Sequence, residues 1–209
     1  AGIPRVKMKV GRHPSADRHR LAVARSAVGD DVELFVDANG AYGRAQALEW
    51  AAVYGDHGVR WFEEPVSSDD VEGLRLVRDR APGGMDVAAG EYGWDLFDFR
   101  RWLEGGAVDC LQVDVTRCGG ITGFLGAAAL AEAHCIDVSA HCAPQVSAQV
   151  GTAVARFRHL EYFHDHVRIE QLLFDGVLEP EPGGVLRPDR DRPGMGLELK
   201  ERDARRWAA

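Results

Sequence analysis

Short apolar, β-branched runs alternate with longer segments of helical period along most of this chain, and that alternation limits its fold more than any other feature. The runs at 5–10, 33–39, 59–63, 86–91, 110–115, 137–141 and 160–163 read as strands. Between them, 15–28, 44–54, 71–80, 96–103, 122–133 and 145–157 read as helices; Leu21, Ala24 and Val28 share one face of the first. Apolar strands alternating with amphipathic helices predict βαβ units on a parallel sheet. Seven strands with six intervening helices come close to a TIM-type (β/α)₈ barrel, one β/α unit short at the N-terminus. The alternative is an open, doubly wound sheet. That fold calls for a glycine-rich phosphate loop after its first strand, and VGRHPSAD at 10–17 is a poor one. After Phe163 the pattern dissolves. Residues 164–209 are rich in Pro, Gly, Asp and Arg and are expected as loops and short strands over the surface.

With 209 residues the chain can bury one sizeable core. Its formal charge of −8 argues against a broad nucleic-acid footprint. No apolar run approaches a membrane span and no basic-then-apolar leader opens the chain, so the cytoplasm is the expected compartment. Cysteines stand at 110, 118, 135 and 142 without a CxxC pair, and are expected as buried or half-buried reduced thiols. Cys142 follows His141, but the usual zinc-ligand spacings are absent. Adjacent strand residues point to opposite faces, so these two are not expected to form a nucleophile–base pair.

Charged and polar residues recur late in each strand or just after it: Lys7 and Lys9 in KMKV, Asp37 and Asn39 in FVDAN, Glu63 in WFEE, Glu91 in AAGE, Asp114 in LQVDV, His141 in SAH and Glu161 in HLEYF. In a β/α barrel the C-terminal strand ends form the rim where active sites are built. Asp37, Glu63 and Glu91 lie about one βα repeat apart, so they are expected side by side around the ring. Converging carboxylates repel unless a cation joins them, and an all-oxygen set suits Mg²⁺, with Mn²⁺ as a substitute. Glu64 follows Glu63 directly; strand alternation predicts that it faces the surrounding helices or a neighbouring loop. Lys9 precedes the acids by one repeat, and Lys7 is expected to lower its pKa by like-charge repulsion. His141 follows them, with Asp114 on the strand between to fix its tautomer.

In order and spacing, K-M-K at 7–9, V-D-A-N at 36–39, W-F-E-E-P at 61–65, G-E at 90–91, D-V-T-R-C-G-G-I-T at 114–122, S-A-H at 139–141 and P-G-M-G-L-E-L at 193–199 resemble the enolase superfamily, and within it the mandelate racemase subgroup. The resemblance implies a (β/α)₇β barrel over 1–163, strands two to eight of the family. It implies a tail over 164–209 that packs on the barrel and on a capping domain. It also implies that the first strand and the capping domain are missing here. Asp37, Glu63 and Glu91 become the metal ligands. Lys9 and His141 become acid/base catalysts on opposite faces of the substrate, His141 paired with Asp114 and Lys9 tuned by Lys7. Lys7 and Glu161 contact the substrate carboxylate, Glu161 as a protonated donor, and Asn39 is either a further substrate contact or a strand-end cap. Asp114 stands where muconate-lactonising enzymes and dipeptide epimerases carry a lysine, which favours the His–Asp class.

The chemistry implied is Mg²⁺-dependent abstraction of the proton α to a carboxylate through an enediolate, leading to dehydration of an aldonate or aldarate. Racemisation of a 2-hydroxy acid by the same Lys/His pair is the alternative. A truncated barrel that binds metal or a partner without turnover is a third reading. Family habit implies a small carboxylate substrate and a homo-oligomer, without nucleic-acid or membrane partners.

Overall fold

A computed structural model describes residues 2–207; Ala1, Ala208 and Ala209, which the expected ranges include, lie outside the described residues. The strands are β1 (Arg5–Lys9), β2 (Glu33–Asp37), β3 (Val59–Glu63), β4 (Asp86–Ala89), β5 (Cys110–Val113), β6 (Asp137–Ala140) and β7 (Phe157–Leu160). They pair in sequence order as one parallel, curled sheet. Each strand is followed by a helix: α1 (Pro14–Val28), α2 (Arg44–Asp56), α3 (Val71–Arg78), α4 (Leu96–Glu104), α5 (Gly120–Ala133), α6 (Pro144–Gly151) and α7 (His164–Leu173). This is the TIM-type arrangement, short of one strand among the described residues. No helix among them is long and apolar enough to cross a membrane.

Local chemistry sets the helix starts. Pro14 supplies the fixed φ and missing N–H suited to a first turn. Asp70 caps α3 by accepting from the Gly73 amide at 3.0 Å, and Asp95 caps α4 through Phe97 and Asp98. Buried Asp17 takes the Gly11 amide at 2.7 Å and the Arg20 guanidinium at 2.6 Å, while Arg20 also donates to the Lys9 carbonyl. That network pins the loop that follows Lys9 at the C-terminal end of β1.

Alternation along the strands separates two cores. Leu34, Val36, Phe62, Val87, Leu111, Val113 and Val138 face outward into the main core under the helices. Phe35, Trp61, Ala88 and Cys110 form a separate cluster within the curl of the sheet. There Phe35 stacks on Trp61 at 5.3 Å, and His159 meets Trp61 edge-on at 5.0 Å. Beneath them the register slips between Val138 and Ser139, and the extra residue, Arg158, pairs with Asp86 and with Asp137 at 3.0 Å. Aromatic packing and ion pairs thus close the lower barrel and leave its upper end to polar groups. Between the β1 and β7 edges opens a cavity of about 800 Å³ lined by Val6, Lys7, Trp61, Glu63, His159 and Glu161.

Three expectations are corrected. The last strand of the sheet is Phe157–Leu160, not 160–163, and the preceding helix ends at Gly151, not at 157. Gly151 packs against the Phe157 ring, where a Cβ would fall 2.6 Å from it, so the chain turns there although the apolar spacing continues through Val154. Residues from 164 onward are not only loops and short strands: α7 spans ten residues. Only Val167 of α7 is buried. An antiparallel hairpin of β8 (Phe174–Asp175) and β9 (Glu198–Leu199) and the short α8 (Glu201–Ala204) follow.

His159 is half-buried and its Nδ1 has no hydrogen-bond partner. Burial first, then Arg5, Arg158 and Lys7, push its pKa down to about 4. The unfolded chain therefore binds a proton near pH 6.5 that the folded chain refuses until about pH 4, and stability falls as the pH is lowered through that window. Discounted for partial exposure, the loss is on the order of 2 kcal/mol. Urea unfolding at pH 7 and pH 4.5 should show the drop in the native chain and a smaller one in His159→Phe; equal drops would remove His159 as its cause.

Candidate active site

The rim is assembled from strand ends in register. Lys9 lies opposite Asp37, and Asp37 opposite Glu63. Asp37, Glu63 and Glu91 are buried, and each offers a carboxylate oxygen within 4.8 Å of the others. Glu63 is the most tightly held. Trp61 Nε1 donates to its Oε2 at 2.8 Å, and Lys7 Nζ lies 2.7 Å from its Oε1. Burial drives its pKa well above the usual carboxylate range, Lys7 opposes that, and Asp37 adds to it. Asp37 Oδ1 accepts the Asn39 amide at 2.8 Å, and its Oδ2 pairs with Lys9. Glu91 follows Gly90, which turns at φ +140° where a side chain would strike the Gln112 carbonyl.

On the far flank, Asp114 Oδ2 lies 2.7 Å from His141 Nδ1, and its Oδ1 takes the Thr116 amide and hydroxyl. Burial pushes the Asp114 pKa up, but the hydrogen bonds from His141 and Thr116 outweigh it and hold the group ionised. An ionised carboxylate only accepts, so His141 carries its proton on Nδ1 and presents the Nε2 lone pair to the site. Nε2 lies 3.1 Å from Glu91 Oε2. Lys9 and the His141–Asp114 pair therefore stand at opposite flanks of the three acids. Glu161 follows β7, its Oε1 2.9 Å from Lys7 and its Oε2 accepting from the Cys142 amide.

The structure brings together Lys7, Lys9, Asp37, Glu63, Glu91, Asp114, His141 and Glu161. Asn39 is exposed; its amide closes a turn on Asp37, and its side chain reaches Glu64 rather than the acid cluster. Four further expectations fail, each for a physical reason. The Lys9 pKa is raised, not lowered: burial and Lys7 push it down, but Asp37 outweighs both. Glu161 is held as a carboxylate at about 2, because Lys7, His141 and Cys142 overcome the cost of its burial. Glu64 does not face the helices. At φ +41° it breaks the strand pleat and stays buried in the field of Glu91 and Asp37, where burial and those charges push it up to about 8. Cys142, at φ +50°, likewise turns back, and its Sγ lies 3.3 Å from His141 Nε2. Cys110, Cys118 and Cys142 are buried free thiols as expected, whereas Cys135 is exposed.

Two participants carry no assignment from the residue pattern. Arg117, inside the D-V-T-R segment, donates to the Glu91 carbonyl at 3.1 Å, lies 3.4 Å from both Glu91 Oε1 and Asp114 Oδ2, and covers the Tyr92 ring. Glu64 adds a fourth acid. Among the described residues, six carboxyls (Asp37, Glu63, Glu64, Glu91, Asp114 and Glu161) thus face three cationic side chains, Lys7, Lys9 and Arg117. Glu91 Oε2 and Glu64 Oε1 are buried with no hydrogen-bond partner. Buried carboxyls in excess of their counter-cations, and carboxyl oxygens left without a hydrogen bond, fit a hard divalent cation held by Asp37, Glu63 and Glu91.

A parallel β/α barrel with clustered acids on its C-terminal rim, set between a lysine and a His–Asp pair, defines a class of metal-assisted barrel enzymes. The chain belongs to the Enolase C-terminal domain-like family, whose model matches residues 1–204. It is 33% identical to an L-talarate/galactarate dehydratase of Salmonella typhimurium over 207 residues, 99% of this chain and 50% of that enzyme. Among solved structures, it resembles a mandelate racemase/muconate lactonizing enzyme-like protein from Rubrobacter xylanophilus at TM-score 0.95 and 59% identity, covering 100% of this chain and 57% of that one. It also resembles an enolase from Bradyrhizobium complexed with magnesium and mandelic acid, at TM-score 0.88 and 28% identity, covering 97% of this chain and 54% of that one. The chain spans about half the length of the relatives it matches.

Magnesium at a hundredfold over its Kd should stabilise the fold by about 2.7 kcal/mol, roughly 5–10 °C in Tm for a chain of this size. Thermal-shift scans in Mg²⁺ and in EDTA should show that gain, and Asp37→Asn, Glu63→Gln and Glu91→Gln should each abolish it. A full shift retained in any two of these variants would place the ion elsewhere.

Proposed function

We propose that the whole protein abstracts the proton α to a carboxylate and, from the resulting enediolate, dehydrates a sugar acid of the aldonate or aldarate class. One observation carries the reading: three buried acids able to share an ion, flanked on one side by Lys9 and on the other by a histidine whose tautomer Asp114 sets. Asp37, Glu63 and Glu91 are the residues that would hold Mg²⁺, or Mn²⁺ in its place. When bound, such an ion supplies positive charge against the substrate carboxylate, where negative charge grows as the proton leaves.

The remaining work falls to the chain's own groups. Lys7, already paired with Glu63 and Glu161, places an ammonium where the second carboxylate charge develops. Lys9 Nζ and His141 Nε2 are the two proton-transfer atoms. Asp114 keeps the His141 Nδ1–H in place, stabilises the imidazolium once Nε2 has taken a proton, and so supports its later return to a leaving group. For dehydration, one base removes the α-proton, and His141 in its protonated form delivers a proton to the departing β-hydroxyl. The enol product then tautomerises to a 2-keto-3-deoxy acid. A protonated Lys9 on one flank and a neutral His141 on the other also support a second reading, racemisation of a 2-hydroxy acid, in which the α-proton leaves to His141 and a new one arrives from Lys9.

Selection among acids belongs, on this proposal, to a capping domain supplied by the half of the relatives' length that this chain does not span. The cavity between the β1 and β7 edges is where a further strand would fit, and residues 164–209 would pack on barrel and cap together. The proposal extends to a homo-oligomer working in the cytoplasm, in keeping with four free thiols.

Incubation with Mg²⁺ and a panel of acid sugars in D₂O should yield 2-keto-3-deoxy acid that carries solvent deuterium at C3 by NMR, the carbon protonated when the enol tautomerises; exchange at Cα of unreacted acid reports the abstraction step where it reverses. Exchange without keto acid would favour the racemase reading, and Mg²⁺ binding without exchange on any panel member would sink both in favour of a non-catalytic barrel. Asp114→Asn should lower turnover about 10²–10⁴-fold through the wrong His141 tautomer, with Mg²⁺ affinity unchanged; a variant within threefold of the native rate would remove the dyad from the mechanism.

A further inference from the structure

Beside the all-oxygen triad lies a second group of potential ligands with different chemistry. His141 Nε2 and Cys142 Sγ come from the two residues after β6, and Glu161 Oε2 from the residue after β7. Their separations are 3.3 Å (Nε2 to Sγ), 3.2 Å (Sγ to Oε2) and 3.6 Å (Nε2 to Oε2). Tetrahedral zinc, with bonds of about 2.0–2.1 Å to nitrogen and oxygen and 2.3 Å to sulfur, sets its ligand atoms roughly 3.3–3.6 Å apart. The three atoms therefore already stand close to the spacing such an ion needs.

Their supports point the same way. Asp114 holds Nδ1 at 2.7 Å and leaves Nε2 free, the carboxylate–histidine arrangement that orients imidazole ligands of zinc. Lys7 engages Glu161 Oε1 and leaves Oε2 turned to the thiol. The left-handed turn that brings Sγ round is held by Ser147 Oγ donating to the Cys142 carbonyl at 2.9 Å and by the Ala143 amide donating to His166 Nδ1. Glu91 Oε2, 3.1 Å from Nε2, belongs to the oxygen triad, so the fourth position falls to a water molecule. Glu161 lines the open cavity, which supplies a path of entry.

We infer that His141, Cys142 and Glu161 form a second metal site, selective for a thiophilic, borderline-soft divalent ion such as Zn²⁺ and separate from the oxygen triad that suits Mg²⁺. The thiol proton passes to solvent as Sγ binds the ion; no electrons move. An ion there occupies the Nε2 lone pair and Glu161 Oε2, so it blocks proton transfer at His141 whatever the Mg²⁺ concentration. That inhibitory consequence rests on the proposed function; the binding site itself does not.

Cobalt serves as the probe, because a thiolate ligand gives Co²⁺ an intense near-ultraviolet charge-transfer band. Titrating the chain with Co²⁺ in millimolar Mg²⁺ should produce that band, and Zn²⁺ should erase it. Cys142→Ala should lose the band, whereas Cys135→Ser, at the exposed thiol, and Asp37→Asn should keep it. Asp114→Asn should weaken Co²⁺ binding about 10–100-fold. Far-ultraviolet circular dichroism checks that each variant folds; if Cys142→Ala does not, the test passes to Glu161→Gln, which should weaken Co²⁺ binding at least tenfold. No band at saturating Co²⁺, a band that survives in folded Cys142→Ala, or unchanged affinity in Glu161→Gln would overturn the site. The optical readout needs no turnover, so its failure leaves the deuterium-exchange result standing, and a failed exchange leaves the band interpretable.

Discussion

Lys7 is the counter-charge on which the rim depends. Its ammonium sits 2.7 Å from Glu63, 2.9 Å from Glu161 and 3.8 Å from Asp37, on a side chain almost wholly removed from water. Burial alone would drive its proton off, yet the three carboxylates overcome that and raise its pKa. The same attraction keeps Glu161 ionised and offsets part of what burial costs Glu63. An unpaired buried charge costs several kcal/mol, so acids packed this closely persist only around such an ammonium. Lys7 satisfies one side of the cluster; Glu91 and Glu64, on the other, keep oxygens that accept no hydrogen bond from the described residues. That imbalance gives the site its appetite for a cation.

Backbone turns decide which side chains join this field. Beyond β2, β3 and β6, Asn39, Glu64, Cys142 and Ala143 all take positive φ, at about 1–2 kcal/mol each for a residue with a Cβ. Each turn is tied down locally, as where the Glu64 amide donates to the Ala88 carbonyl and the Gly40 amide to the Glu64 carbonyl, both at 2.8 Å. Strain of this kind gathers where structure serves a function other than stability. Here it converts the strand pleat, which would send every second residue away, into a rim where consecutive residues converge. Glu63 and Glu64 lie together for this reason, as do His141 and Cys142.

Much of the architecture was legible in the chain. Six of the seven strands begin where their apolar runs begin, because the central residues of β2 to β6 are mostly apolar and buried while their charges fall mainly at the strand ends. The seventh was misplaced by three residues: Phe157-Arg158-His159-Leu160 mixes charge into the run, and Arg158 is the extra residue at a register slip, reaching ion pairs under the barrel. Helix α7 was hidden because it buries one side chain and heads a stretch rich in Pro, Gly, Asp and Arg, a composition that reads as loop. Within the site, the acids, both lysines and the His–Asp pair could be read from residue type and repeat spacing. Arg117 could not, since an arginine in a loop after a strand looks like any solvated charge until its partners are seen.

The sequence by itself determined the order of elements, the ring of polar residues at strand ends and the grouping of Asp37, Glu63 and Glu91 on successive strands. Those features follow from two short-range facts, the period of two along a strand and the repeat of one βα unit per step around a barrel. Only the tertiary structure decided the protonation balance and the membership of the cluster: Lys9 raised by Asp37, Glu161 ionised against Lys7, Glu64 and Cys142 turned inward. Charge energies at a few ångströms depend on which groups meet and how far water is excluded, and a left-handed backbone turn at a non-glycine residue leaves no mark on local composition. Neither quantity exists until distant strands close around one another.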